Sequence, residues 1–307
     1  MSNYLQLNQS KAVSQLHDGA TGLRAENTED FFSRCYDDGW DIEEASDWIT
    51  IAERADPTFQ IVDVSTNMSW WKVKNQGPIG SCWGVSGAQV KTAQHYVESG
   101  GELIDFSGFM NYLWAQMVGG GLGRDNGSLP SAGVKVYKDI GFLPAKHAPR
   151  YPGSYREGYR SHKNLLKDPE IRKLAAPYRI NKMLRVRSTE EIVKCYELGQ
   201  GFVQIWSKWT QEMDRQSEQI TAFRSPGSGG RHAGGHAYQA PALTPGKNPV
   251  IGNTWGERWG VDGTKRMARN AMDDLFEDSM SGAVILVANS TPPGPRRIPE
   301  FVSSDWM

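Results

Sequence analysis

The chain changes character near residue 180, and that change limits the folds open to it more than any single motif does. From Cys82 onward, Trp83, Ser86, Val90, Ala93 and Val97 recur at helical spacing until Gly100-Gly101 ends the run. The stretches NYLWAQMV and SAGVKVYKDI keep the same habit. Beyond residue 180, KMLRVR, GFVQIW, HAYQAPAL, NPVIGNTW and GAVILVAN are short apolar or alternating runs between turn signals. One helical stretch, STEEIVKCYELG, interrupts them. This order predicts an α+β protein with a helical part over 58–180 and a β-rich part over 181–290. Residues 1–57 are expected to be an accessory segment or a short pro-like piece, and 291–307 an extended Pro-rich tail.

With 307 residues the chain can bury a large core. A net charge of -1 with 22% charged residues argues against a nucleic-acid partner. Cys35, Cys82 and Cys195 are the three cysteines, too few and too odd a set for a disulfide framework, so a reducing compartment such as the cytoplasm is expected. The first residues lack a basic stretch followed by an apolar core, so no Sec signal is expected, and no window approaches the roughly 20 apolar residues of a membrane span. A helix is expected to start at Asn27, with Glu29 and Asp30 in its first turn and Phe31, Phe32 and Cys35 on one face; another begins at Ser46. Asp37, Asp38, Asp41, Glu43 and Glu44 read as a solvated acidic face. No His or Cys set has metal-ligand spacing, so neither metal nor cofactor is expected.

Cys82 sits at the start of its helix, where the macrodipole and free N–H groups favour a thiolate. A thiol nucleophile needs a base, and His236 follows two glycines at the start of an apolar run. Asn253 ends the next run, 17 residues on, the spacing of two antiparallel strands joined by the turn TPGKNP. Its amide oxygen is placed to accept the imidazole N–H. His232 competes as base but fits the spacing less well, and Trp114, Trp206 and Trp209 read as packing residues that a cleft could also use.

The segments VKNQGPIGSCWG, GGHA and GNTWGERWGVDG, in this order, resemble the cysteine, histidine and asparagine motifs of the papain-like (C1) cysteine peptidases. That resemblance covers about residues 58–290. It implies a two-lobe fold, a helical left lobe and an antiparallel β-barrel right lobe with the active-site cleft between them. It implies Cys82 as nucleophile, His236 as base and then acid, Asn253 as orienter, and Gln76 with the Cys82 N–H as oxyanion donors. Trp255 would cover the His–Asn pair. DNGSLP resembles the family's Asn-Gly-Gly loop, placing Asn126, Gly127, Ser128, Leu129, Pro130 and Gly235 along a peptide or protein substrate, with an apolar preference near Leu129 and Pro130.

Several positions depart from the family pattern. Ile79 stands where relatives carry a disulfide cysteine, and Asp125 where they carry its partner. Ser128 replaces a glycine, Thr254 a serine and Gly84 an alanine, all small. The family's pro-region helix motif is not recognisable in residues 1–57. Two other readings remain open at this point. One is a papain-like fold used as a structural or binding component of a larger assembly such as a viral particle, with little turnover. The other is amide transfer or cell-wall peptide cleavage by the same residues.

Overall fold

The structure, a computed structural model, describes residues 22–55, 71–99, 101–180, 182–198, 202–215, 217–224, 232–244 and 246–287. The expected Pro-rich tail, residues 1–21 and the His232 side chain lie outside the described residues.

Helix α1 spans Thr28–Asp37 and starts as expected, with Asn27 accepting the Glu29 N–H and Phe31, Phe32 and Cys35 buried. Helix α2 (Ala45–Ala55) follows, and then α3 (Cys82–Glu98), α4 (Gly108–Gly119) and α5 (Pro130–Asp139) form the helical lobe. Helices α3 and α4 cross closely. A Cβ on Gly84 would lie 2.3 Å from the Gly108 carbonyl oxygen, so the glycine that departs from the family pattern is what this crossing requires. Ser107 caps α4 at one end and Gly120, at φ 74°, closes it at the other. Two short helices, α6 (Tyr155–His162) and α7 (Pro169–Ala175), complete the lobe. They seal a core of Ile79, Phe109, Leu113, Trp114, Val136 and Leu143.

The β-rich part contributes β2 (Lys182–Val186), α8 (Thr189–Glu197), β3 (Val203–Thr210), α9 (Gln211–Asp214), β4 (Gln219–Ile220), β5 (His232–Leu243), β6 (Pro249–Gly252), β7 (Thr264–Met267), α10 (Arg269–Phe276) and β8 (Gly282–Val287). An additional strand, β1 (Asp41–Glu44), comes from the N-terminal segment, and the eight strands among the described residues run β1-β2-β8-β3-β5-β6-β7-β4 in one sheet. Its edges are β1 and β4, so the sheet is open and "barrel" describes it loosely. Both edge pairings are parallel and the interior ones antiparallel.

Strand β1 corrects the reading of a merely solvated acidic face. Glu43 pairs with Lys182 and Glu44 with Arg187 through two bonds of 2.7 and 2.9 Å, so β1 is held to β2 by charge complementarity as well as by its ladder. Asp38 pairs with Lys135 of α5. Residues 41–44 are therefore part of the main sheet.

Strand alternation distributes the core over two faces. Ile205 and Tyr238 belong to a cluster with Trp48, Ile192, Tyr196 and Leu275 of α2, α8 and α10. Trp206 and Ala237, paired across β3 and β5, face the other way onto α1 and α3, among Phe31, Phe32, Cys82 and Trp83. That second face is where the two lobes meet.

Candidate active site

The loop before α3 is tied to the loop after β6. Gln76 N–H donates to the Thr254 carbonyl at 2.7 Å, Gly256 N–H to the Lys74 carbonyl at 3.0 Å, and Asn75 and Trp255 form a bridge. This pairing sets Gln76 beside Asn253 and Thr254. The Gln76 amide is oriented at both ends: Nε2 donates to the Ile79 carbonyl at 2.6 Å, and Oε1 accepts the Thr254 hydroxyl. A serine hydroxyl at position 254 would serve equally, which explains why the threonine is compatible.

His236 and Asn253 come together as the 17-residue spacing predicts. Antiparallel β5 and β6 pair Gln239 with Gly252, and the turn between them closes with Lys247 in the left-handed region at φ 57°. His236 Nε2 lies 2.8 Å from Asn253 Oδ1, which also accepts the Thr254 N–H at 2.7 Å. Because Oδ1 can only accept, Nε2 must carry the proton, and in the neutral ring the lone pair falls on Nδ1. All of these side chains are buried. The Trp255 ring lies 4.8 Å from the imidazole between centroids, and Trp209 packs edge-on against it at the same distance. Trp209, read from the sequence as a packing residue that a cleft could also use, thus lies beside His236; Trp114, by contrast, lies in the helical core with its indole N–H on the Leu166 carbonyl.

Cys82 is the first residue of α3, and the main-chain N–H of Ala237, next to His236 in β5, reaches its thiol. Burial pushes the Cys82 pKa up to about 11, against the pull of main-chain hydrogen bonds from Ala237, Gly22, Trp83 and its own amide. Burial therefore outweighs the helix terminus. A thiol so placed is almost wholly protonated near neutrality. Its alkylation by iodoacetamide in the full chain is expected to climb about tenfold per pH unit between about pH 8 and 10; a rate already level across that range would contradict this. Cys35 and Cys195 are also buried and pushed up by burial, so the adduct is located by peptide mapping.

Gly22 belongs to a strap that crosses the cleft. Leu23 N–H donates to the Gly235 carbonyl at 3.2 Å, Arg24 N–H to the Ser128 carbonyl at 3.0 Å, and Ser128 N–H to the Gly22 carbonyl at 3.1 Å. Leu23 packs against the cluster that holds Cys82, Trp206 and Ala237. The approach is close: a Cβ on Gly127, at φ 74°, would fall 1.5 Å from the Gly22 oxygen. Downstream, Arg24 donates to the Gly119 carbonyl, and the buried Glu26 carboxylate accepts the Ser131 N–H at 2.9 Å and hydroxyl at 2.6 Å, capping the start of α5 where Leu129 and Pro130 lie. Arg34 of α1 completes that anchor at 3.0 Å from Glu26. Nothing in the weak patterning of residues 22–26 announced this strap; the Gly-Leu pair becomes meaningful only beside the cleft it enters.

Among the remaining predicted substrate residues, Asn126 Oδ1 lies 3.2 Å from Gln116 Nε2, and Gly127 N–H donates to the Tyr112 hydroxyl at 3.2 Å. Among the described residues no group of His, Cys, Asp and Glu is arranged to hold a metal ion, and no helix is long and apolar enough to cross a membrane.

The fold is that of the papain-like cysteine proteases. Among solved structures the chain is similar to xylellain, a cysteine protease from Xylella fastidiosa, at 17% identity over 89% of this chain and 97% of that one, with a TM-score of 0.66. It is similar to procathepsin B from Trypanosoma congolense at 14% identity, 93% and 98% coverage and a TM-score of 0.58, and to the proform of the ragweed pollen cysteine protease Amb a 11 at 17%, 71% and 62%, and 0.52. Neither a family model nor a curated protein matches the sequence.

Proposed function

We propose that the chain is a cysteine peptidase that cleaves peptide bonds through an acyl-thioester, and that residues 22–26 hold it latent. One observation carries this reading. A stretch of extended main chain lies over Cys82 with its N–H and C=O groups bonded to Ser128 and Gly235, the positions expected to bind substrate main chain. The cleft therefore accommodates peptide backbone beside a thiol.

In this mechanism His236 Nδ1 takes the Cys82 proton, and the thiolate adds to the scissile carbonyl. The negative charge that develops on oxygen is met by the Cys82 N–H and by Gln76 Nε2, whose orientation Thr254 and Ile79 fix. The imidazolium returns its proton to the leaving amine, and water, deprotonated by His236, releases the acid and the thiol. Asn253 keeps the ring in the tautomer this sequence needs. Trp209 and Trp255 keep water from the His–Asn bond. Two of the structures it resembles are themselves proforms, which supports reading the strap as a restraint.

The test is a peptide library incubated with the chain under reducing conditions, with products identified by mass spectrometry. Hydrolysis products that disappear in Cys82→Ala are expected. Products carrying a transferred amine, or undiminished cleavage by the mutant, would reject this reading.

A further inference from the structure

We propose that Asp125 is a positioning residue that ties the loop bearing Cys82 to the loop bearing Ser128. The inference rests on the roles given above to those two loops. Asp125 Oδ1 accepts the Gly80 N–H at 2.9 Å, two residues before Cys82, and the Tyr112 hydroxyl at 2.8 Å. Asp125 itself immediately precedes Asn126, Gly127 and Ser128. One oxygen of the substrate loop thus holds Gly80 of the nucleophile loop directly, and its second donor, Tyr112 of α4, in turn accepts the Gly127 N–H.

The network behind it has a forced direction. Gly123 N–H donates to the Tyr155 hydroxyl at 2.8 Å, which donates to Gln116 Oε1 at 2.8 Å. Gln116 Nε2 donates to the Tyr112 hydroxyl at 2.8 Å and lies 2.7 Å from the Arg124 carbonyl. The Tyr112 oxygen also accepts the Gly127 N–H, and its own proton has Asp125 as acceptor. Each hydroxyl spends its single proton in one direction, so the chain must end on a group that only accepts. A carboxylate is such a group. The Gly80 amide, arriving from the other side, ends on the same oxygen.

Packing supplements the bond. Ile79, beside Gly80, is fully buried among Phe109, Met110 and Tyr112 of α4, the helix that also carries Tyr112 and Gln116 to the substrate loop. The two positions that depart together from the family pattern, Ile79 and Asp125, therefore flank one joint: an apolar plug on the nucleophile side and an acceptor on the substrate side. The joint needs no oxidation, in keeping with three free cysteines.

The full chain is tested as Asp125→Ala, Asp125→Asn and Tyr112→Phe. Asparagine keeps an oxygen that accepts from Gly80 and Tyr112, whereas alanine removes it. Amide hydrogen exchange at both Gly80 and Gly127 is expected to rise about tenfold in Asp125→Ala, the factor one net hydrogen bond carries, and to stay near wild type in Asp125→Asn. Tyr112→Phe should speed Gly127 more than Gly80. In chains that also carry Gly22→Val, so that the strap does not compete, Asp125→Ala should raise KM for a peptide about tenfold with kcat changed less than threefold, and Asp125→Asn should restore it. Unchanged exchange at Gly127 in Asp125→Ala, or an asparagine variant as impaired as alanine, would overturn the proposal. Should the chain hydrolyse no peptide at all, the reading as a peptidase fails, and the exchange rates alone still decide the role of Asp125.

Discussion

Gly22→Val is expected to raise the peptidase activity of the full chain by about a hundredfold. Even a single added Cβ at Gly22 would stand 2.0 Å from the Gly80 Cα and 2.3 Å from its carbonyl carbon and oxygen, all main-chain atoms. Gly80 has little freedom to retreat, since its N–H is fixed on Asp125 and Gly127 lies against it. The strap must lift instead, and it loses the main-chain bonds that join Gly22, Leu23 and Arg24 to Ser128 and Gly235. Three such bonds at about 1 kcal/mol each correspond to roughly two powers of ten in the open fraction. The rest of the N-terminal segment should stay in place. Phe31 packs on Trp206 at 4.7 Å, Thr28 donates to the Ser281 carbonyl at 2.7 Å, and β1 is laddered to β2. The melting temperature should therefore change by only a few degrees. Steady-state hydrolysis of a fluorogenic peptide reads the effect, and equal rates for variant and wild type would show that the strap restrains nothing.

Cys82→Ala in the same background is expected to lower hydrolysis by about four orders of magnitude or more, because no other group on the cleft wall can form the thioester. Cys82 is fully buried at the start of α3, and the smaller alanine side chain fits the same space. The variant should fold, so loss of activity separates chemistry from structure. Circular dichroism and melting temperature provide the control, and residual activity within tenfold of the parent would remove Cys82 from the mechanism.

What could be read from the sequence was mostly local. Asn27 and Ser188 announce helix starts because a short polar side chain accepts the first free N–H groups, and both do so. Cys82 and Asn253 were legible because each sits at an element boundary, and His236, inside β5, because the hairpin β5–β6 makes its 17-residue spacing to Asn253 physical. Strand β1 was hidden. Its residues, DIEE, lack strand-like alternation, and the Lys182 and Arg187 charges that make it a strand lie about 140 positions away. The strap was hidden for the same reason, since Gly22 and Leu23 acquire meaning only from Gly80, Ser128 and Gly235. Asp125 was visible as the absence of a cysteine, but its use as an acceptor depends on Tyr112, a residue that helical periodicity presents simply as core.

On the function proposed above, Cys82 is a nucleophile facing a peptide-binding cleft that the chain's own residues 22–26 cover. Exposure of wild type and Gly22→Val to a peptidyl vinyl sulfone, followed by intact mass and peptide mapping, tests it most directly. One adduct per chain is expected, on Cys82, formed about a hundredfold faster in the variant and absent from Cys82→Ala. Adducts on Cys35 or Cys195, or equal rates in the two chains, would contradict it.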